Sequence, residues 1–62
     1  MPKFKELREE RDLQAKQVAE RAGIDVTMYS RFENYRALPI PEDFERIIEA
    51  LNCTPNEVYS PD

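Results

Sequence analysis

The strongest constraint on the fold is the single glycine of this 62-residue chain, Gly23, which separates two short helical patterns. Residues 15–22 are good helix formers with one apolar face. A glycine ends such a helix well because it enters the left-handed backbone region without a steric penalty. Two residues later, Asp25 can accept hydrogen bonds from the free amides of a second helix, expected over residues 26–33. The sequence therefore predicts a helix, a tight turn and a capped second helix.

The flanking segments predict three further helices. Residues 3–11 form the first, and Pro41 suits the first turn of a fourth, whose apolar stripe continues to a left-handed stop at Asn52. Residues 54–57 form a capping box that begins a short fifth helix, followed by a frayed tail over residues 60–62. The order predicts an all-α bundle built around a helix-turn-helix, in which the third helix can enter the major groove of DNA.

Length and composition exclude several functional classes. We expect one domain over residues 1–62, and a chain this short buries only about 60% of its unfolded surface. It has no histidine and one cysteine, Cys53, which is expected to be a small buried apolar residue rather than a reactive thiol. We therefore expect no enzyme activity, no metal, no cofactor and no small-molecule substrate. Without an apolar run of membrane-spanning length or a signal peptide, we expect a cytoplasmic protein that does not contact membranes.

Charge is unevenly distributed along the chain. The net charge is −4, but residues 1–36 carry +1 and residues 37–62 carry −5. The excess of acidic residues therefore lies outside the helix-turn-helix. The alternative is that both halves are simply solvated surfaces. The acidic residues that begin the fourth helix are expected to interact with its dipole rather than with a metal.

The third predicted helix has an inward and an outward face. Tyr29 and Phe32 lie three residues apart and are expected to pack inward with Ile24. The outward face is then short, mixed in chemistry and able to contact base edges: Val26, Thr27, Ser30 and Arg31.

Four segments in this order and spacing resemble the Cro/C1-type (XRE-like) helix-turn-helix family of phage repressors and bacterial regulators. They are LREERDL (7–13), VAERAGI (18–24), SRFEN (30–34) and FERIIEALNCTPNEVY (44–59). The resemblance implies a compact five-helix bundle of the lambda-repressor type, with the third helix as the recognition helix. It also implies double-stranded DNA as the partner.

The resemblance assigns base-reading positions to Val26, Thr27 and Arg31, and Ser30 shares their face. Arg31 could bind guanine through two parallel hydrogen bonds, and Val26 and Thr27 could pack against thymine methyl groups.

The resemblance also assigns phosphate contacts to Arg8, Lys16 and Arg36. In several members of the family the arginine at the position of Arg8 pairs with a glutamate that ends the third helix, here Glu33. We expect this ion pair to be partly buried and to fix the tilt of the recognition helix. The alternative is an exposed pair worth less than about 1 kcal/mol.

Two hypotheses for function follow. The preferred one is a transcriptional regulator that binds specific double-stranded DNA as a homodimer, joined through Tyr59 with the edges of Ile48 or Leu51. The alternative is a protein-interaction module on the same fold without DNA binding, such as an antirepressor or an assembly factor. Three departures favour the alternative: the acidic composition, Ala15 where the family commonly has glutamine, and Tyr35 where it usually has glycine.

Overall fold

The computed structural model describes residues 1–61 and is all-helical over that range. Its five helices are α1 (Phe4–Glu10), α2 (Ala15–Ala22), α3 (Val26–Glu33), α4 (Pro41–Leu51) and α5 (Pro55–Tyr59). The predicted five-helix bundle is confirmed, and α1 is one residue shorter at each end than expected. The last residue of the predicted tail, Asp62, lies outside the described residues. No helix within residues 1–61 is long and apolar enough to cross a membrane.

One hydrophobic core joins all five helices. Helix α2 packs against both α4 and α3, and α1 packs against α3. The largest fully buried side chain belongs to Tyr29. The core consists of one or more residues from every helix: Phe4, Leu7, Val18, Ala19, Ala22, Tyr29, Phe32, Ile47, Leu51 and Val58. The inward face predicted for α3 is therefore confirmed, and Ile24 packs against the same core.

Four helices end in the same way, with one residue in the left-handed conformation. These residues are Asp12, Gly23, Tyr35 and Asn52, with φ of 54°, 69°, 60° and 54°. In each case the next amide bonds the carbonyl oxygen five residues earlier, over 2.9–3.2 Å. This is the Schellman arrangement, which satisfies carbonyl groups that the helix leaves unpaired. Only one of the four positions is a glycine, so the bundle accepts side chains where glycine carries the smallest steric cost.

Side chains also satisfy amides at the helix starts. The Asp25 carboxylate accepts from the amides of Thr27 and Met28 at 3.0 and 3.3 Å, as predicted for the cap of α3. Thr54 and Glu57 form the predicted capping box that begins α5.

The C-terminal helix corrects one expectation about dimerisation. Val58 is fully buried, whereas Tyr59 is 57% exposed and stacks its ring on Phe44 with centroids 6.0 Å apart. Leu51 has no exposed surface, so the prediction that its edge takes part in a dimer contact is wrong. Its place in the apolar stripe of α4 directs it into the core, while Ile48 at the side of the stripe is half-buried.

Candidate nucleic-acid interface

One side of α3 forms a shallow depression on the protein surface. Its lining consists of Val26, Thr27, Ser30, Arg31, Asn34 and Arg36, here called the recognition surface. All four of the predicted base-reading residues therefore lie together. Val26 is 42% exposed, Thr27 and Arg31 are exposed, and Ser30 is half-buried. A helix with one buried face presents the opposite face at a fixed angle, which is the geometry that groove binding requires.

Two arginines give the recognition surface its charge. Arg31 comes from the last turn of α3, and Arg36 follows the left-handed turn at Tyr35. Within residues 1–61 neither forms an ion pair, so their guanidinium groups are available to an anionic ligand. By contrast, Arg11 lies 3.5 Å from Glu57, and Arg46 lies 2.6 Å from Glu42.

Asn34 belongs to this surface although the sequence reasoning did not select it. Its side-chain amide donates to the carbonyl oxygen of Ser30 at 2.8 Å. The sequence spacing does indicate this position, because residues 27, 30, 31 and 34 follow the i, i+3, i+4, i+7 spacing of one helical face. Asn34 is the C-cap residue, one position beyond the last helical residue, Glu33.

Lys16 lies apart from this surface. It is exposed at the second position of α2 and does not line the depression. A phosphate contact from Lys16 would therefore be made from a different helix, on another part of the DNA backbone.

Arg8 and Glu33 join α1 to the end of α3 by a two-point contact. Arg8 Nε donates to Glu33 Oε2 at 2.6 Å and Nη2 donates to Oε1 at 3.2 Å. Nη1 donates to the carbonyl oxygen of Leu13 at 2.9 Å, which adds the α1–α2 connection to the same cluster. The side chains are only 15% and 6% exposed. Because all these contacts of the Arg8 guanidinium lie within the fold, its main effect is to hold the end of α3 against α1.

Tyr29 lies beside this ion pair in the core. Burial raises the pKa of the Tyr29 hydroxyl far above its ordinary value, and the nearby Glu33 carboxylate raises it further. The hydroxyl has no hydrogen-bond partner within the described residues. The hydrogen bonds that Arg8 donates to Glu33 also raise the pKa of Arg8, against the opposing effect of burial. The cluster therefore keeps one fixed protonation state across the physiological range: Tyr29 neutral and Arg8 charged.

The order and packing of the helices define a helix-turn-helix domain. A protein-family model described as helix-turn-helix matches residues 4–58, which is most of the chain. The chain belongs to this Cro/C1-type helix-turn-helix family, whose members are DNA-binding regulators. A comparison with curated proteins gave no match.

Proposed function

We propose that this protein is a transcriptional regulator that reads specific double-stranded DNA in the major groove with α3. The observation that carries the proposal is the division of α3 into two faces. Tyr29, Phe32 and Glu33 are buried, and the opposite face is exposed at residues 26, 27 and 31 and half-buried at Ser30. A firmly packed helix with a mixed outward face offers hydrogen-bonding and apolar groups that can contact base edges.

The outward face offers three kinds of contact. Arg31 has the fork of donors that matches guanine O6 and N7. Val26 and Thr27 offer methyl groups for thymine, and Arg36 is placed to bind a phosphate at the end of the helix. The Asp25 carboxylate at the start of α3 is negative and bonded to two amides of its own helix. We therefore expect the N-terminal end of α3 to lie in the major groove and not against a phosphate.

A single copy is too small to read two successive turns of the groove. The longest dimension of the chain is 28 Å, whereas half-sites on one face of the duplex lie about 34 Å apart. We therefore infer that two copies bind together. The exposed apolar groove of Leu38, Pro39, Pro41, Phe44 and Tyr59 is the surface that we assign to their contact. Because stable interfaces use about 20–30 residues per partner, this groove supports a dimer on DNA but not a stable dimer free in solution.

The proposal is tested by selecting a site from randomised duplex DNA and titrating it with variants. Arg31→Ala should weaken binding to the selected site by about 5–150-fold, the value of one two-point base contact. Thr27→Ala should weaken it less, with stability changed by no more than about 0.5 kcal/mol. Arg21→Ala removes the same charge from an exposed position on α2 outside the recognition surface and is the matched control. Unchanged binding by both α3 variants would disprove the assignment of the recognition helix.

The second candidate is a protein-interaction module that does not bind DNA. The specific observation in its favour is the exposed apolar surface after α3, where Leu38 is 77% and Ile40 is 60% exposed. Salt dependence separates the two candidates. A protein that neutralises phosphates loses affinity with a slope of about −0.9 per phosphate on a log–log plot. No binding of duplex DNA at low salt would leave the interaction module as the function.

A further inference from the structure

Tyr35 combines an unusual backbone with a long-range hydrogen bond. Its φ of 60° is one that residues with a side chain rarely adopt, yet it completes the end of α3. Its amide bonds the Phe32 carbonyl oxygen at 3.3 Å. Its hydroxyl donates to the carbonyl oxygen of Pro2 at 3.1 Å, 33 residues away in the sequence. A Schellman ending does not require the hydrogen bond from the Tyr35 hydroxyl to Pro2.

The contact with Pro2 connects the end of α3 to the far side of the bundle. Pro2 is buried, and the next amide, of Lys3, bonds the carbonyl oxygen of Val58 at 2.9 Å. Val58 has no exposed surface. The turn after α3 is therefore attached, through the N-terminal segment, to a fixed point in α5.

The residue that this attachment holds is Arg36. Its amide bonds the Arg31 carbonyl oxygen at 2.9 Å, and its side chain lines the recognition surface. The left-handed turn at Tyr35 reverses the chain far enough for the Arg36 amide to reach the Arg31 carbonyl oxygen. We propose that Tyr35 is a positioning residue for DNA binding, which holds the backbone of Arg36 beside Arg31 by securing the turn to the N-terminal segment. This inference rests on the proposed function and assigns a new role within it.

Tyr35→Phe tests the hydroxyl alone, because the ring and the backbone conformation are kept. Affinity for the selected duplex should fall about threefold to tenfold, as expected for one hydrogen bond. If Tyr35 acts through Arg36, the same change in an Arg36→Ala background should alter affinity by less than about twofold, since coupled residues are not additive. Arg21→Ala supplies the control background, in which the full effect of Tyr35→Phe should persist.

Tyr35→Gly separates positioning from backbone strain. Glycine accepts the left-handed conformation without cost. An explanation based on turn geometry alone therefore predicts unchanged DNA binding, whereas positioning predicts a loss at least as large as that of Tyr35→Phe. The salt slope should also become less steep, by up to about 0.9, because the Arg36 phosphate contact is weakened.

Amide hydrogen exchange measures the same attachment without DNA. In Tyr35→Phe the Arg36 amide should exchange at least about threefold faster, while the Ile24 amide, which makes the equivalent bond at the end of α2, should be unchanged. Equal exchange together with equal affinity would overturn the inference. If the parent protein binds no duplex at all, the proposed function fails and the role of Tyr35 in DNA binding fails with it. Faster exchange of Arg36 would then establish only the attachment.

Discussion

The contact between Arg8 and Glu33 allows the change in free energy of unfolding to be predicted for each partner separately, because the two side chains are buried to different degrees. Arg8→Met keeps most of the apolar stem but leaves the Glu33 carboxylate, with a side chain only 6% exposed, without its partner. Breaking a buried pair from one side costs about 3–5 kcal/mol. Since the Arg8 side chain is 15% exposed and water reaches part of the site, we take about 3 kcal/mol.

The reverse change should cost less. Glu33→Met leaves Arg8, which is the more exposed partner and keeps its bond to the Leu13 carbonyl oxygen. We expect about 2 kcal/mol. The double variant removes both charges and places two apolar side chains together, a replacement that is often close to neutral, so we expect about 1–2 kcal/mol. The coupling energy between the two positions is then about 3–4 kcal/mol.

Urea unfolding followed by circular dichroism measures all four free energies of unfolding. A core of this size supplies only about 3–5 kcal/mol, so sucrose should be present at one concentration throughout to keep the single variants folded. In thermal scans Arg8→Met should lower the Tm by about 12–24 °C, from about 4–8 °C per kcal/mol. Additivity of the two single changes within about 0.5 kcal/mol would show that the ion pair does not hold α3 to α1.

Two substitutions and one measurement of thiol reactivity test the buried hydroxyl, the turn glycine and the single cysteine. Tyr29→Phe removes a buried hydroxyl without a partner, so stability at neutral pH should stay equal or rise by up to about 1 kcal/mol. Because the pKa of Tyr29 is raised in the folded state, only the unfolded chain loses this proton as the pH rises above about 10, so the stability of the parent falls progressively from there. Tyr29→Phe lacks this proton, so its urea midpoints should fall less with rising alkaline pH. Gly23→Ala should cost about 1–2 kcal/mol in urea unfolding through its φ of 69° alone, because an added Cβ meets no atom within 4 Å. Burial raises the pKa of the Cys53 thiol, so it should react with a disulfide reagent more slowly than free cysteine and faster in urea.

The sequence predicted best what local chemistry decides. The bounds of α2 and α3 follow from Gly23 and Asp25, which act within a few residues of the helix ends that they define. The split of α3 into two faces follows from the spacing of Tyr29 and Phe32. The left-handed stop at Asn52 is another local signal, and the structure confirms it.

Features that depend on distant residues were predicted poorly. The partner of the Tyr35 hydroxyl lies 33 residues away, and no periodicity indicates it. Leu51 lies in an apolar stripe wide enough that the pattern alone does not distinguish its buried centre from its edge. Asp12 ends α1 in a left-handed conformation without the glycine or asparagine that usually marks such a position. For Tyr35 and Leu51 the tertiary contacts decided the outcome.

The distribution of ion pairs shows how an acidic chain can keep two unpaired arginines on the surface that we propose contacts DNA. Three of its arginines, Arg8, Arg11 and Arg46, lie within 4 Å of a carboxylate, so their charges are largely neutralised within the fold. Arg31 and Arg36 make no such pair among the described residues, and both line the recognition surface. These three pairs reduce the number of cations that phosphates can neutralise, so we expect the affinity that does not depend on sequence to be reduced. Under the proposed function, binding would then depend on base contacts from α3 and on a second copy on the adjacent half-site. A net charge of −4 thus favours selectivity, because it weakens binding to the non-specific DNA that competes for the same protein.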